Sequence, residues 1–414
     1  MSDAPRAQAA AERIARELRE AGYIAYFAGG CVRDQLLGYV PKDFDIATDA
    51  RPDVIRALFK RTHDVGVAFG VVLVRLMDVS VEVTTFRAEG SYSDHRRPDA
   101  IVYADAESDA QRRDFTINGM FRDPATSEVI DLVGGRADLE SGIIRAIGDA
   151  DARFEEDHLR MLRAVRFAAR FNFNLEPATE NAIRMRASQL RGISRERIGQ
   201  EIAWMLSHPT RARAVALIES LGLDQPTLLE SSMQCERRLL SALPEDADVA
   251  FGLAAWWLDR HGVRGNDDDD DAASLRSWRS AMVLSNDVFS RTKRIIQLQK
   301  DIITHWNQWS VARRRRVMGE ADAVAALTIA RLHAQQQGNT VLDAALAHDA
   351  HPAPLPQPLL NGDTLMKSLR IGGGPRIGSI LEAVFDAQLE ERIETENEAI
   401  ELARSMLADD GDIA

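Results

Sequence analysis

Gly29-Gly30-Cys31-Val32-Arg33-Asp34, followed by Asp43-Phe44-Asp45, is the stretch whose reading decides the fold. The residues ahead of it, Ile24 to Phe27, read as a short strand, and Val32 to Leu37 as a short helix. The glycine pair therefore occupies a strand-to-helix turn. A turn without side chains lets backbone N–H groups approach a phosphate, and Arg33 stands one helical turn further in. Asp43 and Asp45 read as part of the next strand, where side chains two apart share a face. Two carboxylates on one face repel each other unless a divalent cation lies between them. An all-oxygen pair suits Mg²⁺, which also bridges substrate phosphates. An isolated Asp-x-Asp on an exposed strand needs no cation; the glycine turn ahead of this one favours the metal reading.

Working outward, a helix is expected from about Ala7 to Ala21 and another from Pro52 to Phe59. Two β-rich segments follow, Gly70 to Val74 and Val79 to Phe86. The second carries Glu82, flanked by Val81 and Val83. A third carboxylate would complete a two-metal arrangement for in-line nucleotidyl transfer, and Glu82 is the candidate. The other reading is an exposed strand glutamate. From about Asp151 the pattern is helical, with helices expected at 154–171, 177–190, 194–207, 209–221, 239–257, 275–309, 311–333, 340–347 and 377–406. The acidic run Asp267 to Asp271 reads as a solvated loop between them. The fold class is α+β, a small-sheet head followed by an all-α remainder.

The chain has 414 residues, enough for two or three domains. Its 51 Lys+Arg against 64 Asp+Glu give a net charge of −13, which by itself argues against a nucleic-acid partner. The cations are nearly all arginine, the residue of bidentate phosphate and base-edge contacts, so the total can hide local patches. Cys31 and Cys235 form no CxxC, which fits a reducing cytoplasm rather than a disulfide or zinc framework. No membrane span is expected, because apolar runs such as Phe69 to Leu76 are too short and too charged.

Arginines recur at 160, 163, 166 and 170. At about 100° per residue they fall within roughly a third of a turn, with Glu156 and Asp157 extending that face. Met161, Leu162, Val165, Ala168 and Ala169 take the opposite side. An arginine row with few paired acids repels itself, which points to a triphosphate or RNA partner rather than to a solvated charged face.

These segments together resemble class II tRNA nucleotidyltransferases and bacterial poly(A) polymerases, which share the polymerase β nucleotidyltransferase fold. The resemblance begins with Gly29-Gly30-x-Val32-Arg33-Asp34 and Asp43-x-Asp45, and continues in order through the first half of the chain. Arg112-Arg113-Asp114-Phe115-Thr116-Ile117-Asn118 resembles the family's ribose-recognition motif. Asp131-Leu132-x-Gly134-Gly135-x-x-Asp138-Leu139 resembles the hinge between head and neck. Glu156-Asp157-x-x-Arg160-x-x-Arg163-x-x-Arg166-Phe167 resembles the nucleobase-reading motif, and Ile193-Ser194-x-Glu196-Arg197-Ile198-x-x-Glu201 the one that buttresses it.

The resemblance implies a catalytic head at 1–148, a helical neck at 149–220, a helical body at 221–350 and an RNA-binding tail at 351–414. It implies addition of CCA to the tRNA 3′ end from CTP and ATP, without a nucleic-acid template. Asp43, Asp45 and Glu82 would be catalytic, the first two holding Mg²⁺. Gly30, Arg33, Arg113, Asp114, Arg163 and Arg166 would bind the nucleotide, Asp114 accepting from the ribose 2′-OH. Asp157 and Arg160 would act as a protein template. A carboxylate accepts from the amino group that C and A share, and a guanidinium donates to ring acceptors. The segment Gly90 to Pro98 resembles the loop that enzymes adding the full CCA end carry. Poly(A) polymerase is the alternative, but its family members carry a basic C-terminal extension and Ala408 to Asp412 is acidic. A catalytically idle RNA-binding protein is a third reading, opposed by the intact Asp43/Asp45 pair. Arg313 to Arg316 could meet phosphates or form a solvated face.

Overall fold

The computed structural model describes residues 4–64, 70–88, 102–262, 268–349 and 354–409. The chain divides into two compact units, residues 1–234 with 272–284, and residues 235–271 with 285–414. The first opens with α1 (Ala4–Glu20), whose Ala7, Ala10, Ala11, Ile14, Ala15 and Leu18 are all buried. Their three- and four-residue spacing makes one apolar stripe, which lies against the sheet. Strands β1 (Ala25–Ala28), β2 (Asp45–Thr48), β3 (Thr62–Asp64), β4 (Val71–Leu76) and β5 (Val79–Thr85) alternate with α2 (Gly30–Leu36) and α3 (Pro52–Leu58). A two-stranded ribbon follows, β6 (Arg87–Ala88) with β7 (Val102–Tyr103). Then come α4 (Ala106–Gln111), β8 (Phe121–Arg122) and β9 (Val129–Ile130). The main sheet runs β3-β4-β5-β2-β1-β8-β9. Its β2–β5 pair is parallel and the other pairs are antiparallel. The register sets Ala28 opposite Asp45 and Ile46 opposite Val83, so the glycine turn, Asp45 and Glu82 fall on three neighbouring strands.

The rest of this unit is mostly helical. It contains α5 (Gly135–Ser141), α6 (Ala150–Glu156), α7 (Arg160–Phe171), α8 (Pro177–Arg186), α9 (Arg195–Leu206), α10 (Arg211–Ser220) and α11 (Asp224–Leu228). One parallel strand pair, β10 (Ile143–Ile144) with β11 (Asn174–Leu175), interrupts it, so strands do not end at Asp151. The core of this region is α7, which buries Met161, Leu162, Val165, Phe167 and four smaller or flanking apolar residues. Each fully buried large side chain contributes about 1.5–3 kcal/mol.

The second unit holds α12 (Arg238–Ala242), α13 (Val249–His261) and, after the shared α14 (Asp268–Met282), helices α15 (Asn286–His305) to α18. The last four of the chain's helices are α18 (Thr340–Asp349), α19 (Gly362–Leu369), α20 (Pro375–Leu389) and α21 (Glu396–Asp409), with α16 (Val311–Met318) and α17 (Ala323–Gln336) before them. Its apolar interior forms one cluster around Trp306 and Ile302 and another around Leu365 and Val384. Several long expected helices are broken here. The 275–309 pattern is split at Val283, whose φ is +48°, and Asp268 to Asp271 open α14 instead of forming a loop. Arg315 and Arg316 are tied to Glu391, Leu389 O and Asp386, which makes them packing residues of this unit. No helix among the described residues is long and apolar enough to cross a membrane. Gly90 to Pro98, and the acidic residues after Asp409, lie outside the described residues.

Candidate active site

The first unit carries an open cleft of about 610 Å³. One wall is the sheet end, with Gly29, Gly30, Asp45 and Glu82; the other is α7 with the segment before it. Gly29 has φ +69° and its N–H donates to Met120 O (3.2 Å), so the turn needs a residue tolerant of the left-handed region. A Cβ there would also stand 2.9 Å from Arg113 Nη1.

Asp45 is the first residue of β2, whereas Asp43 stands in the loop before it and is exposed. The expected sharing of one strand is therefore only half realised: the strand carries Asp45, while Asp43 lies in the loop before it, outside the cleft lining, and acts on the Asp45 carboxyl only through its charge. Burial pushes the Asp45 carboxyl up to about 6, and the carboxylates of Glu82 and Asp43 push the same way while Arg113 opposes them. Among the described residues no hydrogen bond or ion pair satisfies the Asp45 side chain. Asp45 and Glu82 are hard-oxygen donors of the kind a divalent cation takes, but among the described residues no three carboxylate, His or Cys side chains stand close enough together to hold a metal ion, so the pair is a partial site that phosphate oxygens would complete.

The arginines are held very differently. Asp109, buried at 1% exposure, accepts from Arg112 (3.0 Å) and Arg113 (2.9 and 3.2 Å), each side of the carboxylate taking one guanidinium. Asp114 accepts from Arg163 Nε and Nη2 (2.9 and 2.6 Å), Asn118 Nδ2 (3.0 Å) and Phe115 N (2.8 Å). Burial raises the Asp114 carboxyl, but Arg163 and Asn118 outweigh it and bring it down to about 2. Burial likewise works against the Arg163 charge, and Asp114 and Glu201 more than offset this, so its pKa is raised. Arg166 bonds Glu201 (2.7 Å), and Arg170 reaches Asp34 (3.5 Å). Arg33, 4% exposed, spans Asp34 and Asn118 Oδ1 with Phe171 beneath it at 4.8 Å. The arginine row is thus paired with acids from other elements. These acids offset much of the expected self-repulsion, although burial and the neighbouring Arg163 still lower the Arg166 pKa against the pull of Glu201.

The helix expected over 154–171 is interrupted. Helix α6 ends at Glu156, α7 begins at Arg160, and Asp157 at the break has φ −146° and ψ 101°. Asp157 therefore leaves the helical wheel on which Arg163 and Arg166 sit. It accepts two bonds from Arg197 on α9 (2.6 and 3.2 Å) and one from Leu159 N (3.0 Å). Arg160 bonds Glu156 Oε2 (2.5 Å) and Arg153 O (3.0 Å). Every sequence-predicted residue except Asp43 lines the cleft. Sequence reading missed Asp109 and Asn118 as organisers. The Asp109 spacing to Arg112 and Arg113, three and four residues, was a usable signal, as was the four-residue spacing of Asp114 and Asn118; the Arg33–Asn118 bond had none, because those two residues meet only in the fold.

Carboxylates on a small mixed sheet, facing an arginine-lined cleft that a mostly helical region closes, define a nucleotidyltransferase with a polymerase β-like head. The sequence matches the poly A polymerase head domain over residues 25–145, the RNA- and SrmB-binding site of polymerase A over 172–232, and tRNA nucleotidyltransferase domain 2 over 261–403. It is 35% identical to a CCA-adding enzyme of Lactiplantibacillus plantarum, covering 97% of this chain and 96% of that one. The Streptococcus mutans CCA-adding enzyme is 34% identical, with 94% of each chain covered. The crystal structure of the Bacillus stearothermophilus CCA-adding enzyme in complex with CTP superposes with a TM-score of 0.74 at 30% identity, over 98% of both chains. The chain belongs to the CCA-adding enzyme family.

Proposed function

We propose that this protein adds CCA to tRNA 3′ ends from CTP and ATP without a nucleic-acid template, in the cytoplasm and with Mg²⁺. The observation that carries the reading is one cleft with an uncompensated carboxylate pair, Asp45 and Glu82, on one wall and a fixed Asp157–Arg160 pair on the other. The first pair is suited to chemistry at phosphorus, the second to reading a base edge. Membership of the CCA-adding family supports it.

Residues 1–148 serve as the catalytic head and 149–220 as the neck, both within the first compact unit. Residues 221–350 form the body and 351–414 the RNA-binding tail. Asp43 and Asp45 would hold Mg²⁺, which would supply positive charge against the triphosphate. Arg113, Arg163 and Arg166 neutralise the remaining phosphate charge, and Gly30 leaves room for the backbone to approach it. Arg33 holds Asn118 against Asp114. All four acceptor directions of Asp114 are filled, so the ribose 2′-OH reaches it only by displacing one of the present donors. The 3′-OH of the RNA attacks the α-phosphorus, Glu82 takes its proton, a new P–O bond forms and pyrophosphate departs. Catalysis is positioning and charge neutralisation.

The test uses the full chain, Mg²⁺ and a tRNA transcript lacking its 3′ end. Two residues added from CTP alone and a third only when ATP is also present is the expected result. A long ladder with ATP alone would instead make it a poly(A) polymerase, and no extension under any condition an idle RNA-binding protein.

A further inference from the structure

Next to the nucleotide cleft is a second hollow of about 520 Å³, walled by Lys42, Arg166, Arg170, Trp204, Met205 and His208 among others. Arg166 and Arg170 line both spaces, so the two share a wall. Helix α9 packs Ile198, Ile202, Met205 and Leu206 inward, yet leaves Trp204 48% exposed in this hollow. A large aromatic residue left in solvent is not explained by packing.

The surroundings of Trp204 are specific. The Arg166 guanidinium lies 4.9 Å from the indole and 4.5 Å from the Phe167 ring, and Glu201 bonds it at 2.7 Å. These contacts hold Arg166 and, through it, the indole plane. His208 Nδ1 accepts from Thr210 N (3.3 Å) and contacts its hydroxyl (2.8 Å), which leaves the ring hydrogen of the neutral imidazole on Nε2. Burial, then Arg170 and Arg211, lower the His208 pKa and keep it neutral. The described lining residues include two exposed cations, Lys42 and Arg170, and no carboxylate. An aromatic face beside cations, without acids, is the recognition set of a single-stranded nucleotide: the base stacks and the phosphodiester is neutralised. Lys42 immediately precedes Asp43, so a phosphate held there is one residue from the proposed metal site.

We infer that this hollow seats the unpaired 3′-terminal nucleotide of the RNA being extended, its base stacked on Trp204 and its phosphodiester against Lys42 and Arg170. The inference rests on the proposed nucleotidyl transfer and names where the attacking strand lies. Because Trp204 is exposed, Trp204→Ala should fold normally. With a transcript lacking its CCA end, Trp204→Ala should raise the RNA KM about tenfold, the loss of one base–aromatic stack. The CTP KM and kcat should be unchanged, and Trp204→Phe should restore most of the RNA KM. A transcript ending in 2-aminopurine should be quenched on binding the wild-type chain and much less so by Trp204→Ala. An unchanged RNA KM, or a rise in the CTP KM instead, overturns the assignment. Failure of the wild-type chain to extend any RNA would overturn the underlying function; normal extension by the wild type with an indifferent Trp204→Ala overturns only this inference.

Discussion

Asp114→Asn isolates the charge at the centre of the arginine-lined wall. In the folded chain the carboxyl sits at about 2, against an ordinary unfolded value of about 3.9. A gap of roughly two units corresponds to about 2–3 kcal/mol of folding stability at neutral pH. Asparagine also cannot satisfy the pocket. If its oxygen faces Arg163, its amide hydrogens meet the Phe115 N–H and the Asn118 amide nitrogen, both donors. Asn118 cannot turn over to help, because its Oδ1 is taken by Arg33. The unmet donors add about 1 kcal/mol, so the variant should lose about 3–4 kcal/mol at pH 7. The sign with pH follows from the depressed pKa. The charge contribution is fully present above the unfolded value near 4, about halves by pH 3, and is lost as the pH falls through about 2. The assay is urea unfolding read by hydrogen exchange in peptides covering 110–122 and 160–171, which reports the first unit separately from the second. A deficit under about 1 kcal/mol at pH 7, or one that stays constant between pH 5 and pH 3, would refute the reasoning.

Asp43→Ala and Asp45→Ala should each abolish nucleotide incorporation while circular dichroism and the unfolding midpoint stay near wild type; incorporation near the wild-type rate in either would remove these carboxylates from the chemistry. Arg197→Ala releases the two bonds that orient Asp157. It should cut discrimination of CTP and ATP against UTP and GTP about tenfold, the scale of one lost charge-assisted bond, as read from kcat/KM for each nucleotide. In Gly199→Ala the new Cβ would lie 1.9 Å from Met282 O, which is backbone and cannot swing aside. The melting temperature should fall markedly, and an unchanged one would mean that α9 and the end of α14 are not packed this closely.

Much of the head was legible because its signals are local. The glycine turn, the strand carrying Asp45 and the apolar stripe of α1 each follow from the spacing of a few residues, and the sheet sets them side by side. Breaks within helices were harder to see. Asp157 to Leu159 continue the helical spacing of their neighbours and contain neither Gly nor Pro. The chain leaves the helix there while Arg197, from α9, captures the Asp157 carboxylate. Arg153 braces the same turn from Ile147 O and Gln111 O. A tertiary partner of this kind outweighs local propensity, and spacing cannot reveal it.

The same limit explains why a net charge of −13 pointed away from nucleic acid. Summed charge treats every carboxylate as repelling a phosphate, but Asp109, Asp114, Glu156 and Glu201 are spent on holding arginines. Each fixes a guanidinium in place, so less conformational freedom is lost when a phosphate arrives. Asp45 and Glu82 face the same cleft, and no hydrogen bond or ion pair among the described residues ties either to an arginine, although the Arg113 charge acts on Asp45. Here four acids orient six arginines, Asp109 and Glu156 holding two each, and the acids reserved for a cation add to that number. An acidic total is therefore compatible with an anion-binding site, and what distinguishes the two kinds of carboxylate is their pairing in the fold, seen in an Asp114 carboxyl brought down to about 2 and an Asp45 carboxyl pushed up to about 6.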